Sequence, residues 1–224
     1  MGLVLALAAG SIAACGSNSD NGKEGATLTV LNYGKYIDED AVKQFEKETG
    51  IKVKYEEYES PEEMYTKYKA GSIDYDVICS SEYMVEKLIN EGEVLQMDYA
   101  GMENYKNLDP TIIDMSSAYD KDHNYSLPYF YGTLGLLYNK TEVDPSVVKS
   151  WDCLWDPTYE DEIIMENSVR DTFAPALIDL GYSLNETDET HLREALDVLK
   201  KQKDDKIVYG YYVDETADAM IGEE

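Results

Sequence analysis

Hydrophobic positions along the chain switch repeatedly between a period of two and a period of three to four, which predicts alternating strands and helices. The first such unit, residues 28–53, consists of a β-rich run, a short turn, an amphipathic helix and a second strand. Ligands tend to bind at the carboxyl ends of strands in β-α-β units. The turn from Tyr33 through Gly34 to Tyr36 is therefore predicted to form one wall of a binding cleft.

The same pattern continues towards the end of the chain and indicates an α/β protein with an open, mostly parallel sheet. The first helix is predicted to begin at Asp38 or Asp40 and to end at Gly50. The further predicted elements are a helix capped by Ser60 that runs to about Gly71, a strand at 74–79, a helix capped by Ser81, a strand at 163–165, helices at 170–180 and 188–203, a strand at 206–212 and a helix from Asp214. Residues 124–139 are predicted to form a long extended strand that crosses between two lobes.

Charge narrows the range of possible partners. The 224 residues include 46 acidic and only 19 basic side chains, for a net charge of −27. Such a chain repels nucleic acid and anionic lipid, so nucleic acid is not expected as a partner, whereas cations are attracted. The 20 tyrosines against 3 phenylalanines and 2 tryptophans suit hydrated binding surfaces, because each offers an aromatic face and a hydroxyl.

The first residues have the character of an export signal. Residues 1–14 form a short run of apolar and small side chains, and Cys15 follows an Ile-Ala-Ala sequence. The run is too short for an ordinary membrane span and is typical of a secretory signal. The arrangement resembles a bacterial lipobox, which implies lipidation of Cys15, followed by a flexible linker at 15–26.

No catalytic constellation is evident from the sequence, and neither a cofactor nor a metal site is predicted. His123 and His191 are interpreted as surface residues without a nucleophile partner. Cys79 and Cys153 are expected to be free thiols, although their pairing depends on the fold. The abundance of acids leaves one enzymatic alternative open, a secreted hydrolase that uses a pair of carboxylates.

A cation-binding cleft has more support from the residues themselves. An ammonium group is held well by an aromatic face together with a carboxylate. Aromatic candidates follow predicted strands or breaks, and acidic candidates lie near the end of the 163–165 strand of a second lobe. The aromatic candidates are Tyr33, Tyr36, Tyr83 and Tyr131, and the acidic candidates are Glu166 and Asp171.

Several motifs resemble those of the bacterial spermidine/putrescine-binding proteins, the solute receptors of polyamine ABC importers. They are NYGKYI, FEKETGIKV, YES, YDV, LPY and VDP, followed by the pair Trp151 and Trp155, and they occur in matching order. The resemblance implies a type II periplasmic-binding-protein-like fold with two α/β lobes and a ligand cleft between them. The expected lobes are 27–130 and 131–224, the second being partial, because the family has a further C-terminal part.

The resemblance also implies a function. We expect a binding protein, not an enzyme, that captures spermidine or putrescine and delivers it to the permease of an ABC importer. It would lie outside the cytoplasm, periplasmic or held to the outer face of the membrane by its lipid. The same fold binding a different small solute remains the alternative.

Individual ligand contacts carry over from the resemblance by position. Tyr33 matches the first aromatic wall of the family, Tyr36 matches a tyrosine contact, and Asp171 matches a carboxylate that holds an amine. Ser81 and Tyr83 match a Ser-x-Tyr contact. Two positions depart from the pattern: Lys35 stands where the family often has an acid, and Ser168 stands where it often has aspartate. A lysine in the cleft would repel a diamine, so either Lys35 points to solvent or the ligand differs.

Overall fold

The computed structural model describes residues 25–222. The signal run 1–14, Cys15 and most of the linker lie outside the described residues. The strands are β1 (Thr27–Tyr33), β2 (Lys52–Tyr58), β3 (Val77–Ile78), β4 (Ile163–Glu166) and β5 (Val208–Tyr212). The α-helices are α1 (Glu39–Thr49), α2 (Pro61–Lys69), α3 (Glu82–Asn90), α4 (Pro110–Ser116), α5 (Val169–Asp179), α6 (Glu189–Asp204) and α7 (Glu215–Gly222). Short 3₁₀ turns occupy Tyr99–Gly101, Glu103–Asn107, Trp151–Trp155 and Pro157–Tyr159.

A parallel three-stranded sheet in the order β2-β1-β3 forms the first half of the fold. Local signals in the sequence determine its helices. Asp38 caps α1 by accepting a hydrogen bond from the backbone of Asp40, and the left-handed Gly50 ends that helix. Ser60 caps α2 by accepting from the backbone of Glu63. The predicted helices are thus confirmed, whereas β3 is much shorter than the predicted strand at 74–79.

Two separate apolar cores lie under the two sheets. The first consists of Leu31, Tyr58, Met64, Met84 and Leu88 and packs α2 and α3 against β1 and β2. The second consists of Leu154, Met165, Ala176, Leu177, Ala195 and Leu199. Two cores fit the predicted organisation in two lobes, while the boundary proposed at residue 130 stays a prediction.

A parallel pair, β4 and β5, forms the sheet of the second half. Helices α5 and α6 pack on each other beside it. The side-chain amide of the buried Gln202 donates to the carbonyl oxygen of Leu154 at 2.7 Å, which connects α6 to the 151–155 turn.

The extended segment at 124–139 corrects one prediction. Residues 124–139 have neither helix nor strand assigned, so the predicted crossover strand has no ladder partner among the described residues. The start of the segment is held instead by the buried carboxylate of Asp120, which accepts hydrogen bonds from the backbone N–H groups of Asn124, Tyr125 and Ser126. Proline and glycine breaks at 128, 132 and 135 are consistent with irregular backbone.

Between residues 25 and 222, no helix combines the length and apolar character that a membrane crossing requires.

Candidate ligand-binding site

The carboxyl end of the first sheet gathers three hydroxyl-bearing side chains. The parallel register places Tyr33 opposite Tyr58, and their ring centroids are 4.5 Å apart. The hydroxyl groups of Tyr33 and Ser81 lie 2.7 Å apart. Ser81 occupies the N-cap position of α3 but makes no capping hydrogen bond with its side chain, which corrects the predicted cap. Burial raises the pKa of Tyr33, so the phenol stays protonated.

Tyr36 extends this aromatic surface. Its ring centroid lies 5.0 Å from that of Tyr33 and 5.5 Å, edge-on, from that of Phe130. The hydroxyl of Tyr129 donates to the carbonyl oxygen of Tyr36 at 2.7 Å. The extended segment therefore supports the turn after β1, and the Tyr36 ring remains 39% exposed.

Acidic side chains approach this surface from the second half of the fold. Glu166 ends β4, Asp171 lies in the first turn of α5, and Asp214 lies between β5 and α7. Burial raises the pKa of Glu166, and the negative charges of Asp171 and Asp214 raise it further. Burial likewise raises the pKa of Tyr36, and Asp214, Glu166 and Asp171 add to that shift. The three carboxylates thus share one region of negative potential with the Tyr36 ring.

The turn after β1 meets the turn after β5 directly. A Cβ atom added to Gly34 would collide with Oδ2 of Asp214, so the Asp214 side chain would have to move to admit any larger residue. Next to it, the ammonium of Lys35 lies 2.8 Å from Oδ2 of Asp218 on α7. The sequence left open whether Lys35 points to solvent. Its side chain is 66% exposed and is paired with an acid of the second half.

A second contact between the two halves involves Tyr83, on α3. Its hydroxyl donates to a carboxylate oxygen of Glu62 at 3.1 Å. The guanidinium carbon of Arg170, on α5, lies 5.9 Å from the centroid of the Tyr83 ring, within cation-π range. Burial raises the pKa of Tyr83, and a side-chain contact with Ser168 opposes that shift. The first turns of α3 and α5 therefore face each other at Tyr83.

The structure brings together seven of the eight residues predicted to bind ligand. Tyr33, Gly34, Tyr36, Ser81, Tyr83, Glu166 and Asp171 all lie at these facing strand ends. Tyr131 is 77% exposed, and within residues 25–222 no ring contact joins it to this group; Tyr129 and Phe130 make those contacts instead. Sequence reasoning missed Asp214, although it follows a predicted strand just as Tyr33 and Ser81 do.

The chemistry of this group suits an organic cation with an apolar chain. Aromatic rings can stack on methylene groups, and carboxylates can bind ammonium groups. Among residues 25–222, no set of three or more His, Cys, Asp or Glu side chains is arranged to hold a metal ion. Cys79 and Cys153 are free thiols. A two-part α/β fold with aromatic and acidic side chains at facing strand ends has the architecture of a solute-binding protein.

Comparison with known proteins agrees with this class. Residues 40–223 match the family described as bacterial extracellular solute-binding protein. The chain belongs to this family. Its similarity to a spermidine/putrescine-binding periplasmic protein of Escherichia coli reaches 38% identity over 198 residues, 87% of this chain and 56% of the relative. A putrescine/cadaverine-binding protein of Pseudomonas aeruginosa is 37% identical over 174 residues, 75% of this chain and 49% of the relative.

Solved structures show the same fold, that of type II periplasmic binding proteins. One from Listeria monocytogenes, provisionally described as a spermidine/putrescine ABC transporter, matches with a TM-score of 0.82 and 37% identity, covering 89% of this chain and 61% of that one. A lipoprotein of Treponema pallidum matches with a TM-score of 0.76 at 24% identity, covering 88% of this chain and 60% of that one, and supports the fold alone. The resemblance and fold class inferred from sequence are thus confirmed. The chain spans 49–61% of the length of these relatives.

Proposed function

We propose that this protein is an extracytoplasmic polyamine receptor that binds spermidine or putrescine between its two lobes and delivers it to an ABC permease. One observation carries the proposal. The tilted ring pair Tyr33 and Tyr36 lies beside the carboxylates of Glu166, Asp171 and Asp214, and the charges of Asp171 and Asp214 add to burial in raising the pKa of Glu166. Carboxylates that raise one another's pKa are stabilised when an ammonium group enters.

The shape of the contact surface supports a chain-like ligand. The rings of Tyr33 and Tyr36 are tilted by 42° at a centroid separation of 5.0 Å, and Tyr36 is 39% exposed, so its ring is available for methylene groups. An open depression of about 500 Å³ lies beside this surface and is lined by Tyr36, Tyr129 and Phe130 together with Lys35 and Asp38. Polyamines combine methylene chains with terminal ammonium groups, so aromatic walls and acids recognise both parts. The polyamine-binding relatives support the same ligand class.

The family and the first residues support a location outside the cytoplasm. Members of this family are extracellular solute-binding proteins, and residues 1–14 have the character of a secretory signal. We further propose that Cys15 carries the lipid that holds the protein to the outer face of the membrane. A Cys15→Ala variant expressed in a bacterial host would then move from the membrane fraction to the soluble fraction, whereas Cys79→Ala would not. Retention of both variants in the membrane would contradict the anchor.

Thermal unfolding provides the first test of ligand class. A ligand that binds only the folded state raises the free energy of unfolding by about 2.7 kcal/mol at one hundred times its Kd. Spermidine, putrescine and cadaverine should each be compared with glutamate and with a neutral diol. The proposal expects an increase in Tm with at least one polyamine, reduced by Tyr36→Ala but not by Tyr131→Ala, because Tyr131 is 77% exposed. An increase only with glutamate or the diol would contradict it.

A further inference from the structure

The turn between Tyr33 and Tyr36 contains a positively charged side chain, that of Lys35. Lys35 lies between the two aromatic residues of the proposed wall, and its backbone has a φ of 56°, in the left-handed region. Its ammonium reaches across to α7, where it lies 2.8 Å from a carboxylate oxygen of Asp218. The residues in this pair are 183 positions apart in sequence, so the fold itself brings the charge to the acids of the second lobe.

Lys35 is surrounded by acidic side chains of the kind that would bind an ammonium group of a ligand. Besides Asp218, the charges of Asp214 and Glu215 raise the pKa of Lys35. Lys35 in turn lowers the pKa of Asp214, opposing burial and Glu215, which raise it. Asp214 also acts on Glu166 and approaches Gly34. The exposed ammonium of Lys35 therefore acts on Asp214, one of the carboxylates that are proposed to bind ligand.

We infer that Lys35 is a specificity-determining residue: its ammonium occupies Asp218 and weakens the negative potential at Asp214, so that the cleft favours a diamine over a triamine. This inference rests on the proposed function. A third ligand ammonium near this turn would compete with Lys35 for the same acids and would be repelled by it. A ligand whose charges lie only near Glu166 and Asp171 avoids that competition.

Calorimetric titration of the full-length protein with putrescine and spermidine tests the inference through the ratio of the two Kd values. Removing the charge in Lys35→Gln should strengthen spermidine binding by about three- to fivefold relative to putrescine, the size expected of an exposed charge contact. Lys35→Arg should keep the wild-type ratio. Lys43→Gln makes the same change in net charge on α1, where Lys43 pairs with Asp40, and should leave the ratio unchanged.

The outcomes separate the two proposals. An unchanged ratio in Lys35→Gln, or an equal change in Lys43→Gln, would overturn the role of Lys35 while leaving polyamine binding in place. Absence of binding of either polyamine to every variant would overturn the proposed function and the inference with it. A shifted ratio in Lys35→Gln alone, with the wild-type ratio restored in Lys35→Arg, would support the inference.

Discussion

The hydroxyl of Tyr33 lies 2.7 Å from that of Ser81, joining the carboxyl end of β1 to the start of α3. This contact uses the serine hydroxyl that would otherwise cap the helix. Tyr33→Phe should lower the free energy of unfolding by about 0.5–1.5 kcal/mol, because one hydrogen bond is lost while the ring keeps its packing against Tyr58. Denaturant unfolding measures the loss.

A double-mutant cycle separates this bond from other effects of the two substitutions. Tyr33→Phe and Ser81→Ala should each destabilise the protein, and the double variant should be little worse than either. Strictly additive losses would show that the two hydroxyl groups do not interact. The matched substitution Tyr131→Phe, at an exposed ring, should leave stability unchanged.

The close approach of Gly34 to Asp214 predicts a binding defect without a large stability defect. In Gly34→Ala the new methyl group would collide with the Asp214 carboxylate, which must move away from the region it shares with Glu166. We expect about tenfold weaker polyamine binding, as for the loss of a charge-assisted hydrogen bond. Gly132→Ala, where nothing lies within 4 Å, is the control. Equal Kd values for both variants would contradict the role given to Asp214.

The raised pKa of Glu166 predicts that polyamine binding weakens in acid. Burial, Asp171 and Asp214 raise this pKa in the ligand-free protein, and an ammonium ligand lowers it again, so ligand binding releases a proton. Affinity should therefore fall as the pH decreases through the raised pKa of Glu166. Glu166→Gln should bind more weakly at neutral pH and lose much of this dependence, while the exposed control Glu162→Gln should retain it.

The raised pKa of Glu166 also affects the stability of the ligand-free protein, and this stability changes with pH in the direction opposite to polyamine affinity. Because folding raises the pKa of Glu166, its contribution to stability is full below the ordinary glutamate pKa and is lost as the pH rises through the folded-state value. Glu166→Gln should thus be more stable than the wild type at neutral pH and should lose that advantage in acid. If Glu166→Gln were less stable than the wild type at neutral pH, Glu166 would stabilise the fold.

The hydrogen bonds of Asp120 predict that its substitution destabilises the fold. Its carboxylate accepts from the backbone N–H groups of Asn124, Tyr125 and Ser126 and from the Ser126 hydroxyl. Burial acts to raise the pKa of Asp120, but these donors outweigh it and lower the pKa. Its contribution to stability is therefore present above the ordinary aspartate pKa and is lost as the pH falls through the lowered value.

Asp120→Asn should accordingly lower the free energy of unfolding by about 1–3 kcal/mol. The side-chain amide nitrogen of asparagine is a donor, and it would face N–H groups that now donate to a carboxylate oxygen. Asp122→Asn, at an exposed position two residues away, is the control. Similar unfolding midpoints for the two variants would mean that the Asp120 contacts contribute nothing to stability.

Local signals in the sequence predicted the elements that depend on neighbouring residues. Asp38, Ser60 and Gly50 end or begin helices through contacts within a few positions, so the helices were predictable. Strand ends were predictable for the same reason, and they located Tyr33, Ser81 and Glu166. The length of β3 was not, because it depends on how far the chain stays paired with β1, and only Val77 and Ile78 pair with that strand.

Contacts between distant residues could not be predicted from one sequence. The pairing of Lys35 with Asp218 and the approach of Asp214 to Gly34 depend on how two sheets face each other. The use of the Ser81 hydroxyl by Tyr33 depends on the β1-β3 pairing. Tyr129, Phe130 and Tyr131 are aromatic residues of one irregular segment, and only the contacts of Tyr129 and Phe130 with Tyr36 distinguish them from Tyr131.

Isothermal titration of the purified full-length protein with spermidine and with putrescine tests polyamine recognition most directly. The account predicts saturable binding of at least one of them at neutral pH, weakened by about tenfold or more in Tyr36→Ala and in Glu166→Gln. Saturable binding of a different solute, with no heat from either polyamine, would contradict it.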